Sequence, residues 1–273
     1  MPEIDVDMTH DFVSSMLNWW PPLSKSDIPL PETHIIEVTK TEEGRPDIDA
    51  AISDVARAFE ALSTEKAFIR SDKKSASFIN EGSTLFSTNP DHIEDVLECL
   101  VMSHVIGAMK LSGLAVREWL PVDSYGESYG RLIAPEVRVY LEDGDIQCYH
   151  NRVTEDDLSS SFDSTATLRD IEEVIESEWE TIQTYADAVG EIEPFNTSGW
   201  VIDFLRTTDG EWYLTDAAIY GLYYSDDREK WKTTAYHPSG CEYNLEENPP
   251  TELPADPEFS REHFGKKIDF SEF

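Results

Sequence analysis

A chain of 273 residues with 40% hydrophobic and 11% aromatic content can bury a sizeable core, as one large domain or two lobes, which excludes an acidic disordered protein. Its 56 acidic residues against 21 basic ones leave a net charge of −35, a surface that repels both nucleic-acid phosphates and anionic membranes. The acids are spread along the whole chain, the pattern of a protein working in concentrated salt, so a halophile's cytoplasm is the expected setting.

The three cysteines, Cys99, Cys148 and Cys241, form no CxxC and no even set, which argues for a reducing interior and against zinc. The start, MPEIDVDMTHDF, has no basic segment ahead of an apolar run, and nowhere are eighteen consecutive residues apolar. Neither secretion nor membrane spanning is expected.

In chain order, residues 11–39 are apolar and proline-rich. Trp19 and Trp20 should end a short helix before Pro21-Pro22, and HIIEV should form a strand. The tryptophan pair reads as packing more than as a ligand platform. Residues 46–62 place Ile48, Ile52, Val55, Phe59 and Leu62 at helical spacing. AFIRSDKKSASFI, residues 67–79, then gives a strand carrying Arg70 and a small polar loop with Lys73, Lys74 and Ser75. Cations are scarce here, and such a strand and loop can surround a polyphosphate. Taken alone, the lysines would be a solvated turn. A long helix follows, capped by Asn89, opened by Pro90 and stopped by Gly113.

LAVREWLPVD, residues 114–123, is an extended connector of the kind that holds a purine, with Glu118 and Asp123 either as ligand contacts or as surface acids. The hairpin EVRVYLEDGDIQCYHN turns at Asp143-Gly144. In a two-residue register Arg138 faces Tyr149, and Arg138 sits on a polar face with Tyr140; a slip would undo this pairing. A polar loop leads to a helix over Leu168–Val189, capped by Thr167 and stopped by Gly190.

The stretch WVIDFLRTTDGEWYLTD, Trp200–Asp216, organises the rest. Asp209-Gly210 marks a hairpin, and a two-residue turn puts Asp203 directly across from Asp216. Period-two alternation then gives both acids one face with Leu205 and Leu214, leaving Ile202, Phe204, Tyr213 and Thr215 on the other. Opposed carboxylates need a cation between them, and Mg²⁺ is the one that accompanies nucleotide phosphates. An accidental pairing in so acidic a chain is the competing account.

The motifs FIRSDKKSAS, REWLPVD, PEVRVYLEDGDI and WVIDFLRTTDGEWYLTDAAIYGLYY stand in an order that resembles the ATP-grasp superfamily, over roughly residues 15–225. More narrowly, the chain is similar to a divergent clade with an Arg-bearing first strand, related to the D123-like cell-division proteins. The resemblance implies an α+β fold of two lobes whose antiparallel sheets clamp Mg-ATP. It implies a lead-in segment and helix over 1–66, a small nucleotide-binding lobe over 67–125, a larger lobe with the metal site over 126–240, and an acidic, proline-rich tail over 241–273. By the same resemblance, Arg70 with Lys73 or Lys74, beside Ser75, holds phosphates. Glu118, Trp119, Leu120 and Asp123 lie on the adenine side, Arg138 steadies the transferring phosphoryl group, and Asp203 and Asp216 bind Mg²⁺. One departure stands out: two residues after the metal-binding acid, where the family has Asn, this chain has Ala218.

The chemistry implied is ligation of a carboxylate to an amine through an acyl phosphate, with a small-molecule, peptide or protein acceptor. The alternative is an ATP-binding assembly factor that does not turn over; the blandest is a fold with a dead site.

Overall fold

A computed structural model describes residues 15–41, 46–62, 64–72, 84–106, 111–129, 131–196, 199–219, 222–225 and 230–233. Lys73, Lys74, Ser75 and the tail from residue 241 lie outside the described residues. Five helices and twelve strands are present among the described ones, in an α+β arrangement whose sheets are antiparallel throughout, as expected.

The first sheet orders β1 (Thr33–Glu37), β4 (Gly113–Glu118), β2 (Ala67–Ser71) and β3 (Thr84–Leu85) as β1-β4-β2-β3. Ala67, Ile69, Leu114 and Val116 turn to one side, where they meet helices α2 (Ile48–Ala61) and α3 (Pro90–Ile106). Helix α2 buries Val55 and Phe59 and is capped by Asp47, whose carboxylate accepts from the Ala50 amide at 3.1 Å. Asn89 caps α3 by accepting from Asp91. Gly113 does not stop that helix: α3 ends at Ile106, and Gly113 opens β4 instead.

The second sheet orders β10 (Trp212–Ile219), β9 (Gly199–Arg206), β7 (Glu136–Glu142) and β8 (Asp145–Asn151) as β10-β9-β7-β8. Val137, Val139, Leu141, Trp200, Ile202, Phe204 and Leu214 form its core face, under α4 (Ser164–Ser177) and α5 (Trp179–Gly190). A single helix over 168–189 is therefore corrected to two. The first begins one residue after Asp163, which caps it in place of Thr167. The break falls at Glu178, whose carboxylate is held outside the helix by Arg206 and by the Trp212 indole N–H. Gly190 belongs to α5, and its backbone presses on Gly144 in the β7–β8 turn.

Helix α1 (Met16–Leu23) runs through Pro21 and Pro22 instead of ending before them. Two prolines forfeit two helical donors, yet Met16, Trp19, Trp20 and Leu23 are all buried, and that burial holds the turn. The tryptophans pack edge to face at 5.8 Å, and Trp19 reaches Phe195, so both are core. The remaining strands form two small hairpins, β5 (Gly126–Ser128) with β6 (Arg131–Ile133) and β11 (Leu222–Ser225) with β12 (Lys230–Thr233). Cys99 is a free thiol, but Cys148 is disulfide-bonded, against the reducing interior expected from the three cysteines. No helix among the described residues is long and apolar enough to cross a membrane.

Candidate functional site

Asp203 and Asp216 are direct cross-strand partners, but not by the simple route. The β9–β10 turn holds three residues, Thr208 to Gly210, with the Thr207 amide donating to the Glu211 carbonyl at 2.9 Å. That shifts the pairing by one, so Trp212 faces Arg206 and Leu214 faces Phe204. A β-bulge between Leu214 and Asp216 shifts it back. Leu214 consequently lies in the core with Phe204, and Tyr213 takes the position opposite Leu205. The expected partition of these two residues is corrected by that extra turn residue.

The β7–β8 hairpin has the expected two-residue turn, with φ of 51° at Asp143 and 89° at Gly144. Its bulge lies further along, beside Gln147, and the register slips there. Arg138 therefore faces His150, not Tyr149. Tyr149 moves to the core side and stacks on Trp179 with ring centroids 3.7 Å apart.

These pairings place His150, Arg138, Asp203 and Asp216 in one row across all four strands of the second sheet. Neighbouring strands are about 4.8 Å apart, so adjacent members of the row meet side by side. Arg138 grips Asp203 as a fork: Nε donates to Oδ1 at 2.7 Å and Nη2 to Oδ2 at 2.6 Å. Burial works against the Arg138 charge, but the bonds to Asp203 outweigh it and raise the guanidinium above its usual range. Tyr140, also buried, is pushed up to about 12 by burial, and its hydroxyl lies 3.4 Å from His150 Nε2.

From the opposing sheet comes Arg70, 2% exposed, whose Nη1 donates to Asp216 Oδ1 at 2.7 Å. The same oxygen accepts from the Ala217 amide at 2.8 Å. Arg117 joins it, diagonal to Arg70 on the same face, since Arg70 pairs with Ala115 and Arg117 with Phe68. Its Nη1 donates to the carbonyl of the bulge residue Thr215, and its guanidinium lies 5.0 Å from the Trp20 ring. Burial pushes Arg117 down to about 9; the charge of Arg70 adds to this and Asp216 opposes it. Sequence reasoning passed over Arg117 within the connector motif, because its partner Thr215 lies far along the chain.

Asp72 was missed as well. It reads as part of a polar loop, yet it is 1% exposed and anchors the end of β2. Its carboxylate accepts from the Ser15 hydroxyl at 2.5 Å and from the Gly113 amide at 3.0 Å.

The connector residues have other partners. Glu118 Oε1 accepts from the Glu32 amide at 2.8 Å, and Trp119 lies under Lys66 Nζ at 3.3 Å. Leu120 is half-buried, and Asp123 accepts from Arg206 Nη1 at 2.5 Å. The structure thus brings Arg70, Arg138, Asp203 and Asp216 together with Arg117, and sets Glu118, Trp119, Leu120 and Asp123 along the strap leaving β4.

A divalent cation finds little room as the groups stand. Both Asp203 oxygens are in the Arg138 fork, and Asp216 Oδ1 has two donors already. Ala218 offers no ligand, and no group of three or more His, Cys, Asp or Glu among the described residues is arranged to hold a metal. Mg²⁺ takes six oxygens in near-octahedral geometry, so these residues do not fit a metal held by the protein alone. In this structure the charges on the opposed acids are met by two arginines, Arg138 and Arg70.

No family model matches the chain, and no curated protein matches it. Solved structures do match. C-terminally truncated Cdc123 from Schizosaccharomyces pombe aligns with a TM-score of 0.51 at 12% identity, over 77% of this chain and 84% of that one. D-alanyl-alanine synthetase A from Vibrio cholerae aligns at 0.44 and 18% identity, over 77% of this chain and 56% of that one. N5-carboxyaminoimidazole synthase from Aspergillus clavatus, in complex with ADP and its ribonucleotide, aligns at 0.44 and 15% identity, over 76% and 44%. Two antiparallel sheets facing each other across a row of arginines and aspartates, together with the alignment to Cdc123, give the chain an α+β fold like that protein's, and the likeness is one of fold alone.

Proposed function

We propose that ATP binds between the two sheets and that the protein is an ATP-dependent ligase joining a carboxylate to an amine. The observation that carries this reading is the meeting of Arg70 from one sheet with the Arg138–Asp203–Asp216 row of the other. Guanidinium groups fixed on facing sheets can neutralise a triphosphate from both sides, and such positioning is most of what phosphoryl transfer requires. Arg138, held by Asp203, is the group aimed at charge developing on the transferring phosphoryl. Mg²⁺ enters this reading with the nucleotide's own phosphates, and the carboxylate oxygen left to it by the described contacts is Asp216 Oδ2. The cytoplasm of a salt-accumulating cell remains the proposed setting.

Ala218 and the occupied carboxylates favour a second reading, a nucleotide-binding assembly factor for a partner protein that holds ATP without turnover. Titration calorimetry of ATP with Mg²⁺ in molar KCl, followed by an ADP-release assay with candidate carboxylates and amines, separates the two. Binding with ADP release supports the ligase. Binding without release, with a co-purifying protein, supports the assembly factor. Absence of ATP binding removes both.

A further inference from the structure

Two buried guanidinium groups side by side are an unusual burden for a chain of net charge −35. Arg70 and Arg117 are 2% and 5% exposed, on adjacent strands and one face of the first sheet. Between them the contacts described supply one carboxylate, Asp216, which of the two arginines bonds Arg70. Arg117 is met by neutral acceptors: a carbonyl, the Met16 sulfur at 3.9 Å and an aromatic face. Its Nε is buried with no hydrogen-bond partner. A guanidinium carries five donors, and a buried one that leaves a donor unmet is destabilising unless something else fills the place. Among the described residues, two guanidinium groups thus share one bonded carboxylate, facing the row on the other sheet.

We infer that Arg70 and Arg117 together form a seat for the oxyanions of a polyphosphate, and that Asp216 occupies this seat when no ligand is bound. The inference rests on the nucleotide reading above for the identity of the anion, but it makes a separate claim: the protein's own carboxylate competes with the ligand. A phosphate chain entering between the two sheets takes over Arg70 from Asp216 and supplies Arg117 with the anionic acceptor it lacks. Asp216 is then released toward the solvent side, where its side chain is already 32% exposed.

The claim has an unusual sign. Removing an acid from a metal site weakens metal-nucleotide binding, whereas removing an internal competitor tightens metal-free anion binding. The test is therefore run in EDTA, on the full chain in molar KCl, with inorganic tripolyphosphate as probe and calorimetry as readout. Trp20, beside Arg117, gives a second, fluorescent readout. Asp216→Asn should bind tripolyphosphate about tenfold more tightly than the parent protein, and Arg117→Met about tenfold or more weakly. Equal or weaker binding by Asp216→Asn overturns the inference, as does unchanged binding by a folded Arg117→Met. Should Arg117→Met fail to fold, the Asp216→Asn comparison decides alone. A parent protein that binds Mg-ATP while Asp216→Asn shows no gain for tripolyphosphate loses the seat and keeps the nucleotide reading. Failure to bind either ligand removes both.

Discussion

Asp203 and Asp216 face each other across β9 and β10, yet each is neutralised from a different sheet: Asp203 by Arg138 beside it, Asp216 by Arg70 from the other sheet. The first pair is a fixture of one sheet, and the second is a bridge between two. They should respond differently to mutation. Asp203→Ala leaves Arg138 largely buried without its fork and should cost about 3–5 kcal/mol of stability. Replacing both members with apolar residues, Arg138→Met with Asp203→Leu, should recover most of that loss. Urea unfolding at fixed KCl measures both, and a double variant as unstable as the single one would contradict the pairing.

Backbone meets backbone where α5 touches the β7–β8 turn. A Cβ placed on Gly190 would lie 2.0 Å from the Gly144 carbonyl oxygen, and one on Gly144 2.5 Å from that of Gly190. Gly190→Ala must therefore part the helix from the turn, at about 1–3 kcal/mol or more. Gly210→Ala, whose Cβ would meet nothing nearer than the Arg206 Nη2 at 3.4 Å, carries only the strain of its positive φ. Denaturant midpoints should rank Gly190→Ala below Gly210→Ala; the reverse order would refute the contact.

Glu178 supplies a pH signature. Hydrogen bonds from Arg206 hold its carboxyl below the ordinary glutamate value of 4.5, against the effect of burial and with help from the Trp212 indole. A carboxylate lowered in the folded state contributes stability that is complete above the unfolded value and disappears as the pH falls through the folded one. The parent protein should accordingly exceed Glu178→Gln in stability at neutral pH, and the gap should close progressively below pH 4.5. A gap independent of pH would show that the carboxylate is not the group responsible.

Salt should stabilise the whole molecule. At −35 net charge, raising KCl from about 0.1 M to about 1 M shortens the screening length from about 10 Å to about 3 Å and relieves surface repulsion. The thermal midpoint should rise across that range and fall in dilute buffer. A midpoint indifferent to KCl would remove the halophilic reading.

Much of this was legible from residue order, and its limits are instructive. The pairing of Asp203 with Asp216 was foreseen because two irregularities offset each other: one residue added in the turn, one in the bulge at Thr215. At the other hairpin only one irregularity exists, beside Gln147, and there the foreseen partner of Arg138 was wrong. Bulges leave almost no trace in an alternating pattern, since the residues on either side still look like strand. Arg70 was found because a basic residue inside an apolar strand is conspicuous. Arg117, Asp72 and Glu178 were not, because what makes them matter is burial among partners distant in the chain: Thr215, Ser15 and Arg206. Local pattern carries no information about such meetings.

The extra residue in β10 invites an experiment in subtraction. Leu214 already faces Phe204, so excising Thr215 would deliver Asp216 to its place opposite Asp203 along an unbroken ladder. What would vanish is the one main-chain oxygen that β10 holds out to Arg117. A single-codon deletion would thus spare every charged side chain between the two sheets while cutting one tie that joins them, a separation of roles that no point substitution offers.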